Sequence, residues 1–311
     1  MKHSSSLSKL LMVLLVILSI SSSALATTTE PDIVNTQDLN AYWTFPVPLH
    51  VIHKNKVLLV NNQNLLTEKD VPDPLVNVTK VKRATSAAVY LQLEAAEALQ
   101  EMFDAAKDVT SYTYLDMQKE TPKEVTVEYP NGMVLYLKSG YRSYGTQVTT
   151  YNNYLARNNN VDDGYVSKPG ASEHQTGLAM DILNAEFAGR SYMTQDFEYE
   201  PEAQWLKENC SLFGFILRYP KEAEDITEIN FEPWHFRYVG KEVASYIMGN
   251  GLTLEEYVGN CEFEVAQFIG AGGDIDQQMA YEISHINAPP ESTMLNVTDT
   301  IGDNEISLKF F

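Results

Sequence analysis

Two histidines and two carboxylates occur at spacings that could form a metal site. His174 and Asp181 lie in the stretch SEHQTGLAMD, and Glu232 and His235 lie further along in EPWHFRYVG. Two imidazoles and one carboxylate can bind zinc and leave a fourth position for water. The remaining glutamate could then act as a general base or acid beside that position. A buried histidine that is hydrogen-bonded to an aspartate is the alternative interpretation of His174 and Asp181. It does not account for Glu232 and His235.

Three segments of the chain resemble the signatures of a known enzyme family. They are SGYRSYGTQ at 139–147, SEHQTGLAMD at 172–181 and EPWHFRYVG at 232–240. Together they resemble VanY-type zinc D-alanyl-D-alanine carboxypeptidases, and they occur in that family's order. The resemblance extends over about residues 55–258.

The resemblance implies a role for each residue of the candidate metal site. His174, Asp181 and His235 would hold one Zn²⁺ per chain, with water in the fourth position. Glu232 would take a proton from that water during attack and deliver it to the leaving amine.

The resemblance also implies three residues that meet the substrate. Arg142 would hold the free C-terminal carboxylate of a peptide or stabilise the developing oxyanion, because a guanidinium can bond a carboxylate at two points. A structural salt bridge is the alternative role for Arg142. Gln147 and Ser172 would bond the peptide end or the cleft wall, although Ser172 could instead cap a turn.

The implied activity is removal of the C-terminal D-alanine from peptidoglycan stem peptides. An L,D-carboxypeptidase or an endopeptidase acting on stem peptides could use the same metal-site residues. A non-catalytic wall-binding domain of the same fold is a third interpretation, but such a domain would usually lack Glu232 or a ligand. A serine-type carboxypeptidase is excluded because the SxxK, SDN and KTG motifs do not occur together.

The elements around the motifs predict an α+β fold, because short strands and helices alternate without a regular βα repeat. The resemblance implies a small mixed, largely antiparallel sheet flanked by helices. Ser143 is a candidate N-cap, and Asn131-Gly132 between two apolar runs predicts a β-hairpin. The predicted elements are helices over 88–107, 143–157 and 202–212, and strands over 112–115, 177–182, 215–217 and 234–238.

The chain divides into four predicted parts. Residues 1–26 form a signal peptide and residues 27–85 a lead-in that wraps the core. Residues 86–258 form the zinc carboxypeptidase domain. Residues 259–311 form a C-terminal extension to which the sequence assigns no role.

The first residues have the pattern of a secretory signal. Lys2 and Lys9 precede the apolar run 10–20, and the small residues of 24–26 follow it. The run is too short to span a bilayer as a stable anchor. We therefore expect an extracytoplasmic, wall-associated protein without stable membrane insertion after signal cleavage.

The net charge excludes one class of partner, and the cysteines raise the question of a disulfide. The formal net charge of −20 argues against nucleic acid as a partner, since nucleic-acid binding needs a basic face. Cys210 and Cys261 are the two cysteines. They could form a disulfide in an exported protein, and the sequence leaves that pairing open.

Overall fold

The computed structural model describes residues 41–53, 57–118 and 121–286. The predicted signal peptide and the last part of the extension, 287–311, lie outside the described residues. Residues 39–283 form one compact unit, and of the second unit, 1–38 with 284–311, only 284–286 are described. Across the described ranges, no helix combines the length and apolar character needed to cross a membrane.

The described chain consists of short strands and helices in mixed order. The strands are β1 (Leu75–Asn77), β2 (Tyr90–Gln92), β3 (Ser111–Asp116), β4 (Lys123–Glu128), β5 (Tyr136–Ser139), β6 (Ala179–Leu183), β7 (Phe215–Leu217) and β8 (His235–Tyr238). The helices are α1 (Leu49–Ile52), α2 (Leu93–Lys107), α3 (Tyr144–Arg157), α4 (Ala185–Ala188), α5 (Pro201–Asn209), α6 (Glu224–Thr227), α7 (Lys241–Asn250), α8 (Leu254–Gly270) and α9 (Ile275–Ile286).

The largest sheet in the described part of the chain has four strands. Its order is β5-β6-β8-β7, and each neighbouring pair is antiparallel. The pairs β1–β2 and β3–β4 form two further antiparallel sheets. The predicted α+β class with a small, largely antiparallel sheet flanked by helices is therefore confirmed.

Alternation along β8 separates its apolar and polar side chains. Phe236 and the preceding Trp234 lie in the main hydrophobic cluster. His235 and Arg237 point to the opposite side, where both approach the carboxylate of Glu173. Burial of each large apolar side chain stabilises the fold by about 1.5–3 kcal/mol, and this fixes which face of β8 presents His235.

The helix predicted over 143–157 is present as α3, and Ser143 is its N-cap. The Ser143 hydroxyl accepts a hydrogen bond from the Thr146 amide, so an amide without a partner in the helix is satisfied. The helix predicted over 88–107 starts later, at Leu93. Residues 90–92 instead form β2, because they pair with 75–77.

The β-hairpin predicted around Asn131-Gly132 is wrong, although the turn itself exists. Gly132 has a φ of +80°, and its amide donates to the Tyr129 carbonyl at 2.9 Å. The next amide, that of Met133, donates to the carbonyls of Ala106 and Val109. These two bonds tie Met133 to the end of α2 and to the residues just after it. The strands on either side of the turn therefore do not pair with each other: β4 pairs with β3, and β5 pairs with β6.

Cys210 and Cys261 are both buried and unpaired. They lie in different hydrophobic clusters, Cys210 in the main cluster and Cys261 in a second cluster with residues of α7 and α8. Burial raises the pKa of the Cys210 thiol to about 12 and that of the Cys261 thiol to about 11. Both cysteines therefore act as small apolar core residues.

Candidate active site

Strand register brings two of the predicted ligands together. In the β6–β8 ladder, Asp181 is the partner of His235. The Asp181 carboxylate reaches both histidines, with Oδ1 at 3.3 Å from His235 Nδ1 and Oδ2 at 3.5 Å from His174 Nε2. Tetrahedral zinc with bonds of about 2.1 Å separates its ligand atoms by about 3.4 Å, so these distances suit one ion.

His174 is held by a 3₁₀ turn, Glu173–Thr176, that ends at Gly177 in the left-handed region with a φ of 67°. The His174 Nδ1 lies 2.7 Å from the Gly140 carbonyl oxygen, just beyond β5. A carbonyl only accepts hydrogen bonds, so Nδ1 carries a proton, and in the neutral ring Nε2 carries none. Nε2 is the nitrogen that faces Asp181.

The distances among the ligand atoms of the three predicted ligands also suit a metal ion. One ligand atom from each of His174, Asp181 and His235 can be chosen so that all three lie within 4.8 Å of one another. All three residues are buried, and Asp181 Oδ1 has no hydrogen-bond partner among the described residues. A buried carboxylate oxygen without a donor is costly, and a cation at this point would satisfy it. The donor set of two nitrogens and one oxygen suits Zn²⁺.

Glu232 lies on the more open side of this cluster. Its Oε2 is 3.4 Å from His235 Nδ1, and its side chain is 17% exposed against 4% for His235. The backbone fixes this position, since the Glu232 amide donates to the Tyr219 carbonyl and the His235 amide donates to the Glu232 carbonyl. Glu232 is thus beside the ligands and reachable from solvent.

The buried charges shift one another's pKa values. Burial raises the pKa of Glu232 to about 7, and Asp181 adds to the rise, against opposing effects of His235 and Arg142. Burial would lower the pKa of His235, but its contact with Asp181 helps to raise it to about 9. Burial lowers the pKa of His174. Burial would raise the pKa of Asp181, but the two histidines hold it below its usual range.

Hydrogen bonds connect two of the predicted substrate-binding residues, Arg142 and Gln147, to the segment that carries His174. The Arg142 amide donates to the His174 carbonyl at 3.0 Å, and its Nη1 donates to Gln147 Oε1 at 2.8 Å. The Gln147 amide group in turn donates to the Ser167 carbonyl. Gln147 therefore links the Arg142 guanidinium to the Ser167 carbonyl. Ser172 is buried, and its side chain makes no capping hydrogen bond to the turn that follows it.

Two further residues near the predicted ligands, Glu173 and Tyr219, are not among the predicted site residues. Glu173 is buried between Arg218 and Arg237, and burial, which would raise its pKa, is outweighed by these arginines, so the pKa is lowered. The Tyr219 ring lies 4.8 Å from the His235 ring. The one available signal was alternation on β8, which places Arg237 on the same side as His235.

Comparison with known proteins identifies a matching family and related proteins. The family model described as VanY, D-alanyl-D-alanine carboxypeptidase, matches residues 123–241. The Bacillus subtilis (strain 168) protein YodJ is 38% identical over 208 residues, which cover 66% of this chain and 67% of that protein. VanXYC of Enterococcus gallinarum, a bifunctional D-Ala-D-Ala dipeptidase and D-Ala-D-Ala carboxypeptidase, is 36% identical over 133 residues, 42% of this chain and 70% of that protein.

A solved structure shows the same fold. The LdcB LD-carboxypeptidase is 38% identical in sequence, with a TM-score of 0.54, and the match covers 65% of this chain and 84% of that one. The family match spans the segments that supply His174, Asp181, Glu232 and His235. The chain therefore belongs to the VanY family of D-alanyl-D-alanine carboxypeptidases.

Proposed function

We propose that this protein is an exported zinc carboxypeptidase that removes the C-terminal D-alanine from peptidoglycan stem peptides. One observation carries the proposal. The buried ligand atoms of His174, Asp181 and His235 converge, and the carboxylate of Glu232 lies beside them on the more exposed side.

The residues of the site would divide the chemistry between them. Zn²⁺ held by His174, Asp181 and His235 would act as a Lewis acid on the scissile carbonyl. Glu232 would accept a proton from the attacking water and then donate it to the leaving amine. A pKa of about 7 suits both directions of this transfer at neutral pH. Arg142 would bind the terminal carboxylate, since its charge acts on both His174 and Glu232 and Gln147 holds one nitrogen of its guanidinium.

The accepted stem peptide distinguishes two candidate activities. The description of the matching family supports a D,D-carboxypeptidase, which would shorten a pentapeptide stem ending in D-Ala-D-Ala to a tetrapeptide. The LdcB structure supports the second candidate, an L,D-carboxypeptidase, which would shorten a tetrapeptide stem to a tripeptide.

Mass spectrometry on defined penta-, tetra- and tripeptide stems tests both candidates. Release of D-alanine from the pentapeptide alone supports the first, and release from the tetrapeptide alone supports the second. Loss of turnover with a chelator and its return with Zn²⁺ would support the metal. Cleavage of a stem whose terminal carboxyl is amidated would support an endopeptidase, and absence of cleavage with every stem would support the non-catalytic interpretation.

Replacement of Arg142 by lysine is expected to lower kcat/KM about 10- to 100-fold. Lysine keeps the charge but loses the planar fork, and a hydrogen bond to a charged group is worth about 1.5–3 kcal/mol. Steady-state kinetics on free-acid stems would measure the effect.

Arg157→Lys is a matched control for this prediction, since Arg157 is an exposed residue at the end of α3. We expect its kcat/KM to equal that of the parent. An Arg142→Lys enzyme as fast as the parent on free-acid stems would show that Arg142 does not bind the carboxylate.

A further inference from the structure

A buried carboxylate that the proposed mechanism does not use lies directly beside the metal site. Glu173 precedes the ligand His174, and its side chain has 0% exposure. Its Oε1 accepts two hydrogen bonds of 2.8 Å, one from Arg218 Nε and one from Arg237 Nη1. Two guanidinium groups thus converge on one oxygen of this carboxylate.

The other oxygen of Glu173 faces the second histidine ligand. Glu173 Oε2 lies 3.8 Å from His235 Nε2. Both atoms are buried, and within the described residues neither has a hydrogen-bond partner. The opposite ring nitrogen of His235, Nδ1, faces Asp181 and Glu232 at 3.3 and 3.4 Å. Glu173 therefore sits behind the His235 ring, on the side away from the other ligands.

The two arginines are themselves fixed by distant parts of the chain. Arg218 donates from both Nη atoms to the carboxylate of Glu255 on α8, at 2.8 and 2.6 Å. Arg237 Nη2 donates to the Leu58 carbonyl at 2.8 Å. The cluster holds two guanidinium groups and two carboxylates, so it is formally neutral. These hydrogen bonds restrict rotation of the Glu173 carboxylate.

We propose that Glu173 is a positioning residue for the metal ligand His235. Its Oε2 would accept the Nε2–H of the imidazole, so that Nδ1 is unprotonated and directed at the ion. A carboxylate behind a metal-bound histidine fixes both ring orientation and tautomer in this way. Because the arginines occupy Oε1, only Oε2 is available for His235. This inference rests on the proposed metal site.

The rival role for Glu173 is purely structural, as the counter-charge of Arg218 and Arg237. A matched pair of variants separates the two roles. Glu173→Gln and Glu255→Gln each remove one negative charge from the same cluster, but only Glu173 faces His235. The zinc affinity of the full chain, measured by competition with a chromophoric chelator, is the readout.

The expected result is zinc binding about 10- to 100-fold weaker for Glu173→Gln, with Glu255→Gln close to the parent. Equal affinity of Glu173→Gln and the parent would overturn the inference, as would an equal loss in both variants. Failure of the parent chain itself to bind zinc would remove the proposed function and this inference together.

A second measurement needs no variant and covers the case in which Glu173→Gln does not fold. ¹⁵N NMR of the zinc-loaded parent, with labelled histidine, reports which ring nitrogen carries the proton. We expect the proton of His235 on Nε2 and that of His174 on Nδ1. A His235 proton on Nδ1 would overturn the inference while leaving the proposed metal site intact.

Discussion

Replacement of Glu232 by glutamine is expected to lower kcat about 10²- to 10⁴-fold, the usual contribution of a positioned general base. Glutamine keeps the size of the side chain but cannot accept the proton of the attacking water. Zinc affinity should stay near that of the parent, because Glu232 is not one of the three convergent ligands. Single-turnover kinetics beside a zinc titration would measure both quantities.

The same variant should stabilise the metal-free protein at neutral and higher pH. Burial raises the pKa of Glu232 from 4.5 to about 7, so the folded protein holds a proton that the unfolded chain has released. The raised pKa lowers the free energy of unfolding. This loss of stability is absent below pH 4.5, grows as pH rises and is complete above about pH 7. At about 1.4 kcal/mol per pH unit, glutamine at this position would recover up to about 3 kcal/mol of unfolding free energy.

Glu222→Gln is the control, because Glu222 is an exposed glutamate close in sequence. The free energy of unfolding is measured by urea denaturation at pH 4.5 and pH 8, with a chelator present to keep each protein metal-free. We expect the gain for Glu232→Gln at pH 8 to shrink at pH 4.5, with no gain for Glu222→Gln at either pH. Turnover by Glu232→Gln equal to that of the parent would remove the catalytic role and leave the binding-domain interpretation.

The local patterns of the sequence were sufficient to predict most elements of the catalytic region. Alternation predicted β8 with His235 and Arg237 on one side, and the Ser143 cap marked the start of α3. These features depend on residues a few positions apart, so sequence periodicity reports them directly. The identity of the three predicted ligands came from motif resemblance, and the structure places their side chains together.

Pairing between distant segments could not be predicted in the same way. The Asn-Gly turn is present, but its flanking strands belong to different sheets. The reason is that the chain after the turn is hydrogen-bonded to the end of α2. The setting of Glu173 likewise depends on Arg218, Arg237 and Glu255. Nothing local to Glu173 shows that two arginines from other elements will enclose it.

Replacement of Asp181 by asparagine is expected to abolish stabilisation of the protein by zinc. Asp181 has both His174 and His235 within 3.5 Å, and its lowered pKa keeps it ionised at neutral pH. Asparagine preserves the shape but removes the charge that a divalent ion requires. For the parent, zinc at 100 times its dissociation constant should add about 2.7 kcal/mol to the unfolding free energy.

Thermal unfolding of both proteins with and without zinc measures this difference, with Asp196→Asn as the control at an exposed aspartate. The parent and Asp196→Asn should show the same rise in Tm, and Asp181→Asn should show none and no turnover. An equal rise in all three would place the zinc elsewhere on the chain. The convergence of His174, Asp181 and His235 would then be a buried ion-pair cluster, since a carboxylate between two imidazoles can be stable without a metal when the histidines carry protons.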